Sequence, residues 1–251
     1  RKKLNENTRG IIPVHMAGYP CKMDEIVKIC EEFDLILIED CAHAVGTRFD
    51  EKHVGNFGIA GCFSFYPTKQ IATGEGGVVI SNDKKVIDFI KKHKAFGIDT
   101  PPEMRTKPGV YDVRGLGYNY RMTDFQAALA TGQMQRYPAN LKRRQENALL
   151  YHTHLKKLSK INYPEYSPDN SYFLFQIIIS EEIDRDYVIS KLKEAGIGVS
   201  IHYATPVPLM SYYLKKYGYN INDFPNASFY GQQSISLPVH MNINEDDIVY
   251  I

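Results

Sequence analysis

The stretch that decides the fold reads Leu35-Ile-Leu-Ile-Glu-Asp-Cys-Ala-His-Ala44, then Gly61-Cys-Phe-Ser-Phe-Tyr-Pro-Thr-Lys-Gln70, then Thr73-Gly-Glu-Gly-Gly-Val-Val-Ile80. It holds three short apolar runs. The first, Leu35 to Ile38, is near-continuous, as expected of a strand buried on both faces of a sheet. It ends in the acid pair Glu39-Asp40. The second carries Ser64 inside it and Lys69 just after it. A glycine-rich turn then leads into the third.

Working outward, the neighbours alternate strand and helix. Ile11 to His15 reads as a strand. Met23 to Phe33 places Met23, Ile26, Val27, Ile29 and Cys30 at helical spacing. Asn82-Asp83 suits the cap of a helix from about Lys84 to Ala95. This alternation predicts an α/β domain with a mainly parallel central sheet. From Gly97 to Gly117 the pattern lapses into a long loop, of the kind that often carries function. Thr123-Asp124 can cap a helix holding Phe125, Ala128, Leu129 and Met134. Pro138 is expected to interrupt it, with a second helical pattern running to about Leu158.

Beyond that the texture changes. Tyr172 to Ile179 and Gly196 to Ile201 read as strands, Tyr187 to Ala195 and Pro225 to Gln233 as helices, and Ser234 to Leu237 as a last strand. The expected organisation is a large cofactor-binding domain over 1–140 and a smaller α+β C-terminal domain over 141–251.

Bulk properties narrow the class. The chain has 251 residues, 43% hydrophobic and 24% charged, with net charge +1. That composition is globular and gives no pull toward nucleic acid or an anionic membrane. Four cysteines at 21, 30, 41 and 62 form no Cys-x-x-Cys pair. Free thiols in a reducing, cytoplasmic setting are expected, without a structural metal. Asn226-Ala-Ser228 matches a glycosylation acceptor, a match short enough to arise by chance. No run approaches the roughly 18 apolar residues of a membrane span. The opening Arg1-Lys-Lys-Leu-Asn-Glu-Asn lacks both a signal-peptide apolar region and an initiator Met, so the chain is expected to begin inside a longer protein.

The central stretch also carries a chemistry. Asp40 stands just past the carboxyl end of a strand, where open α/β sheets place ligands. Alone it would read as a cap or loop acid. Lys69 sits in a glycine-rich setting where desolvation lowers an amine's pKa toward nucleophilic use. Ser64 offers a hydroxyl for a phosphate. Gly74, Gly76 and Gly77 match neither a Walker nor a dinucleotide motif, and read as a tight turn. Amine, carboxylate and hydroxyl together are the set that pyridoxal phosphate chemistry needs.

At this point the residues resemble a family. Glu39-Asp-Cys-Ala-His-Ala44, Phe63-Ser-Phe-Tyr-Pro-Thr-Lys69 and Gly74-Glu-Gly-Gly77 are similar to the sugar-nucleotide aminotransferases of the DegT/DnrJ type. Pro13-Val-His-Met-Ala-Gly18, Gly117-Tyr-Asn-Tyr-Arg-Met122, Gln126-Ala-Ala128 and Gln133 continue the resemblance in the family's order. The resemblance implies a fold-type-I pyridoxal 5'-phosphate enzyme, homodimeric, with sites shared between subunits. By it, Lys69 joins the cofactor's aldehyde and Asp40 pairs with its ring nitrogen. His43, where the family usually has Gln, lies beside the phenolic oxygen, and Ser64 binds phosphate. Asn119 reaches the partner's cofactor phosphate. Arg121 lies near that phosphate, and Arg121 and His202 are the candidate substrate contacts. The family's upstream phosphate loop and ring-stacking residue have no counterpart in these residues. The implied reaction moves an amino group from an amino acid, glutamate by default, to a nucleotide-linked keto-sugar, by default a 4-keto-6-deoxy hexose. The alternatives are a dehydratase or lyase with the same cofactor, or a cofactor-free fragment acting as a binding partner. Relatives that dehydrate carry His at the Lys69 position.

Overall fold

The computed structural model describes residues 1–100 and 102–251, and divides the chain into two compact units, Arg1–Pro138 and Ala139–Ile251. In chain order the first unit holds β1 (Gly10–Ile11), α1 (Met23–Glu32), β2 (Ile36–Asp40), the small antiparallel pair β3 (Arg48–Phe49) and β4 (Lys52–His53), β5 (Ala60–Ser64), β6 (Gly77–Ile80), α2 (Lys84–His93) and the start of α3 (Asp124–Leu155). The main sheet runs β1-β2-β5-β6. Its first two pairings are parallel and the last is antiparallel.

Register decides what shares a face. Asp40 pairs with Cys62, Cys62 with Val79, and Ser64 with Gly77. Side chains alternate along a strand, so Asp40, Cys62 and Ser64 lie on one face. Leu37 and Glu39 lie on the other. Leu37 packs there with Met23 and Cys30 of α1, with Ile11, Ile26 and Phe57 closing around them. Full burial of a side chain such as Met23 (0% exposed) stabilises by roughly 1.5–3 kcal/mol. Asp24 and Glu25 favour the start of α1 by facing its positive dipole end. Asp83 caps α2, its carboxylate accepting from the Lys85 N–H at 2.7 Å.

The expectation that Leu35 to Ile38 is buried on both faces is corrected. Ile36 is 51% exposed, and Ile12 and Val14 are exposed beside it on the same face. The apolar run reports strand character; among the described residues, the α1 face is the one covered. The strand expected over Ile11 to His15 is also shorter, because Pro13 has no N–H to give the ladder. Beyond Ile11, pairing resumes only as a bridge from Val14 to Asp40.

The second unit takes up the rest of α3 and then β7 (Ile161–Asn162), β8 (Phe175–Ile179), α4 (Arg185–Glu194), α5 (Ser211–Tyr217), α6 (Pro225–Gln233), β9 (Ser234–Leu237) and α7 (Glu245–Tyr250). Its sheet is antiparallel, ordered β7-β8-β9. Phe175, Ile177, Ile179, Ile235 and Leu237 are buried in it. From α3, Tyr151 stacks on Phe175 at 4.7 Å and donates its hydroxyl to the Pro238 carbonyl at 2.8 Å.

Three local expectations fail for identifiable reasons. Pro138 does not end its helix: α3 runs through it without a break. A proline costs one helical hydrogen bond and some crowding, and the turns on both sides outweigh that. Tyr172 to Leu174 stay outside β8, since Tyr172 adopts φ 46° and cannot continue a strand. Gly196 to Ile201 form no strand, only a bridge from Ser200 to Ser236. Among the described residues, no helix is long and apolar enough to cross a membrane.

Candidate active site

The site is built at the carboxyl ends of β2 and β5. Asp40 closes β2, and its Oδ1 accepts the Ala42 N–H at 3.0 Å, which orients the carboxylate. Its backbone is gripped on the other side: Asp40 N–H donates to Pro13 O at 2.9 Å, and His15 N–H to Asp40 O at 3.1 Å. Ser64 ends β5 on the same face, its Oγ accepting the Tyr66 N–H at 3.3 Å.

Lys69 follows on a turn closed by its own N–H to Tyr66 O at 2.9 Å. That turn is pinned at its base. Phe65 N–H donates to Gly76 O at 2.9 Å, and Thr73 N–H to Phe65 O at 2.8 Å. From α3, the Gln133 amide bonds both the N–H (3.1 Å) and the carbonyl of Ala72. The Gln126 amide donates to Glu75 O at 2.6 Å. Gly76 takes φ 144°, a conformation L side chains rarely adopt, and a Cβ on Gly77 would stand 2.6 Å from Phe63 O. The glycines therefore permit both the turn and its close approach to β5.

The electrostatics follow from this placement. Lys69 is half-buried, and burial lowers its pKa below the ordinary lysine value; nearby Asp40 pulls the other way without winning. The structure thus brings together Lys69 and Asp40, with Ser64 on the same face. His43 is buried in the turn after β2 and accepts the Ala17 N–H at Nδ1, 3.3 Å. A neutral ring in that arrangement carries its proton on Nε2.

Three predicted residues lie outside the strand ends of β2 and β5. Asn119 and Arg121 are exposed and bonded to each other, Arg121 Nε to Asn119 Oδ1 at 3.1 Å. Arg121 stacks over Phe96 at 4.7 Å and lines a cavity of about 460 Å³ with Glu75, Gly76, Gly77 and Tyr120. His202 belongs to the second unit, its Nδ1 3.2 Å from Ser200 Oγ and 3.0 Å from Ser236 Oγ.

Sequence reasoning missed the buried pair beside Asp40. Glu39 and His15 are both fully buried. Glu39 accepts from Gly55 N–H (2.7 Å), Phe57 N–H (2.6 Å), Gly58 N–H (2.9 Å) and His15 Nε2 (3.1 Å). Burial alone would raise its pKa; His15 and the three backbone donors together bring it below the ordinary carboxylate value. On His15, burial opposes charge, while contacts with Cys21, Cys41 and Glu39 pull the pKa toward about 11. The Cys21 N–H, however, donates to Nδ1 at 3.1 Å. That is where a second proton would sit, so we assign the neutral Nε2–H form. Cys41 completes a cluster with these two, ligand atoms within 4.8 Å of one another. Its donors are already committed to hydrogen bonds. The signal that was available is a charged residue at an inward strand position, which demands a partner.

The family model for DegT/DnrJ/EryC1/StrS aminotransferases matches residues 1–251. The chain belongs to this family. The chain is 37% identical over 254 residues to the uncharacterized protein MJ1066 of Methanocaldococcus jannaschii, covering 98% of this chain and 66% of the relative. It is 31% identical over 251 residues to the GDP-perosamine synthase of Escherichia coli O157:H7, covering 100% and 65%. The chain therefore spans just under two thirds of the length of these curated relatives. Among solved structures, PseC of Helicobacter pylori, an aminotransferase involved in the biosynthesis of pseudoaminic acid, superposes with TM-score 0.91 at 27% identity, covering 99% of this chain and 67% of that one. The PLP-form of the putative sugar aminotransferase Spr1654 of Streptococcus pneumoniae gives 0.89 at 26%, covering 100% and 68%. The fold is the fold-type-I aminotransferase fold.

Proposed function

We propose that this chain carries the reacting lysine of a pyridoxal phosphate-dependent aminotransferase. Its amino donor is an amino acid, glutamate by default, and its acceptor a nucleotide-linked keto-sugar. The observation that carries the reading is the Lys69–Asp40 arrangement: an amine lowered in pKa by burial, a carboxylate at the strand end beside it, and a glycine turn clamped by α3. The residues fit the cofactor. Asp40 would hold its ring nitrogen, Ser64 and the partner's Asn119 its phosphate, and His43 its phenolic oxygen.

When bound, the cofactor supplies an aldehyde to condense with amines and a ring that withdraws electrons from the substrate carbon. The chain's residues supply the rest. Lys69 Nζ would serve as the general base and acid that moves a proton between substrate carbon and cofactor. Its lowered pKa raises the share of free amine at neutral pH. Asp40, at the strand end, would hold the ring nitrogen and so support the withdrawal. His43, with Nδ1 taken by the Ala17 N–H, would offer Nε2–H to the cofactor's phenolic oxygen. Arg121 stands at the glycine turn with charge for a diphosphate.

The working unit in this reading is a cytoplasmic homodimer. The 104–125 segment exposes Met104, Leu116, Tyr120 and Phe125 together with Asn119, which suits a subunit contact. The similarity to a GDP-perosamine synthase supports a nucleotide-linked sugar, and a 4-keto-6-deoxy hexose is the default acceptor. The test incubates the protein with pyridoxal phosphate, glutamate and a panel of nucleotide keto-sugars. Amino-sugar formation from one member of the panel is expected. Glutamate that leaves the bound cofactor's visible band unchanged would count against amino transfer.

A further inference from the structure

We propose that His15, acting as a neutral imidazole, is a positioning residue for Asp40. This rests on the reading of Asp40 as the group that meets the cofactor's ring nitrogen. His15 grips the end of β2 twice. Its backbone N–H donates to Asp40 O at 3.1 Å, and its ring Nε2 meets Glu39 Oε2 at 3.1 Å. The ring is itself held, since Cys21 N–H donates to Nδ1 at 3.1 Å. Thus one residue, fully buried, fixes two consecutive residues of the strand.

The geometry makes this matter for Asp40. Adjacent strand residues point to opposite faces. Glu39 is anchored on the α1 face by four donors, so the backbone between it and Asp40 cannot rotate without breaking buried hydrogen bonds. The direction in which the Asp40 carboxylate leaves the sheet is set from behind. Loss of the His15 ring leaves the Cys21 N–H without its acceptor and Glu39 with three donors, and loosens that direction.

A neutral ring presents one N–H donor and one acceptor nitrogen, and a glutamine amide can set one of its N–H groups and its carbonyl oxygen in their places. His15→Gln should therefore keep the grip, and His15→Phe should lose it. Two measurements test this on the whole chain. Nitrogen-15 spectra of labelled histidine at neutral pH, with His15 assigned by its disappearance in His15→Gln, should show the Nε2–H neutral tautomer. A doubly protonated ring overturns the proposal. Titration with pyridoxal phosphate, alongside melting temperature, should give His15→Gln a cofactor Kd within about three-fold of the unaltered protein. His15→Phe should bind about ten-fold or more weakly while still folded. Tyr151→Phe, which loses a buried hydrogen bond in the second unit, should lower melting temperature and leave Kd unchanged. A folded His15→Phe with unchanged Kd overturns the positioning role. If His15→Phe fails to fold, His15→Gln decides, and a ten-fold loss there overturns the proposal. No cofactor binding by the unaltered chain would instead sink the functional reading, and the nitrogen spectrum would still report the tautomer.

Discussion

Lys69 is distinguished from the other lysines by what burial does to it. Lys69→Arg keeps a positive charge, but a guanidinium stays protonated at any working pH and cannot attack an aldehyde. We expect a folded protein that no longer retains cofactor after borohydride reduction, whereas the unaltered chain yields a single labelled peptide containing Lys69. A label on another lysine would refute the assignment. A second residue-scale expectation concerns His152, packed edge-on against Tyr163, Tyr166 and Phe175. Burial first, and Lys156 second, lower its pKa below 6.5. The folded state thus binds its proton less readily than the unfolded chain does. The associated stability is intact above the unfolded pKa of about 6.5 and is lost as pH falls through the folded value. His152→Phe keeps the shape without the titration, so its melting temperature relative to the unaltered protein should rise between pH 7.5 and pH 5. A difference independent of pH would rule this out.

At the scale of elements, α3 does more than cross the chain's midpoint. Gln133 and Gln126 reach from it to the turn that carries Lys69. Gln133→Ala leaves two half-buried backbone groups of Ala72 without partners, at about 1–3 kcal/mol. Hydrogen exchange over residues 69–76 should speed up while β8 and β9 are unaffected; uniform exchange changes would mean the clamp is not local. The same elements show what a sequence discloses. Asp83 as a cap, Met23 to Glu32 as a helix and Ser234 to Leu237 as a strand were legible, because each depends on its own residues. Pro138 within α3 and Tyr172 at φ 46° were not, because tertiary contacts override local preference. Of the candidate site, Lys69, Asp40 and Ser64 could be proposed from the sequence as chemistry at strand ends. The Glu39–His15 pair was not, because it joins residues 24 apart that only the parallel pairing of β1 and β2 brings together.

For the molecule as a whole, the proposal that two subunits share each site predicts complementation. Asn119→Ala should weaken cofactor retention about ten-fold or more, the equivalent of a lost charge-assisted bond. Mixed with Lys69→Ala subunits, it should form heterodimers in which one site carries both lesions and the other neither. Activity should then partly return; heterodimers that form yet stay inactive argue for sites confined to one subunit. The open face at Ile12, Val14 and Ile36 has a colloidal side as well. With a sequence pI of about 7.8 and net charge +1, copies in a pH 8 buffer hardly repel, which favours contact between copies through the exposed Ile12, Val14 and Ile36. Solubility should pass through its minimum there and recover at pH 6 or pH 9.5. Because added salt shortens the reach of whatever repulsion exists to about 8 Å at physiological strength, a shift of buffer pH is the better remedy for clouding than a rise in ionic strength.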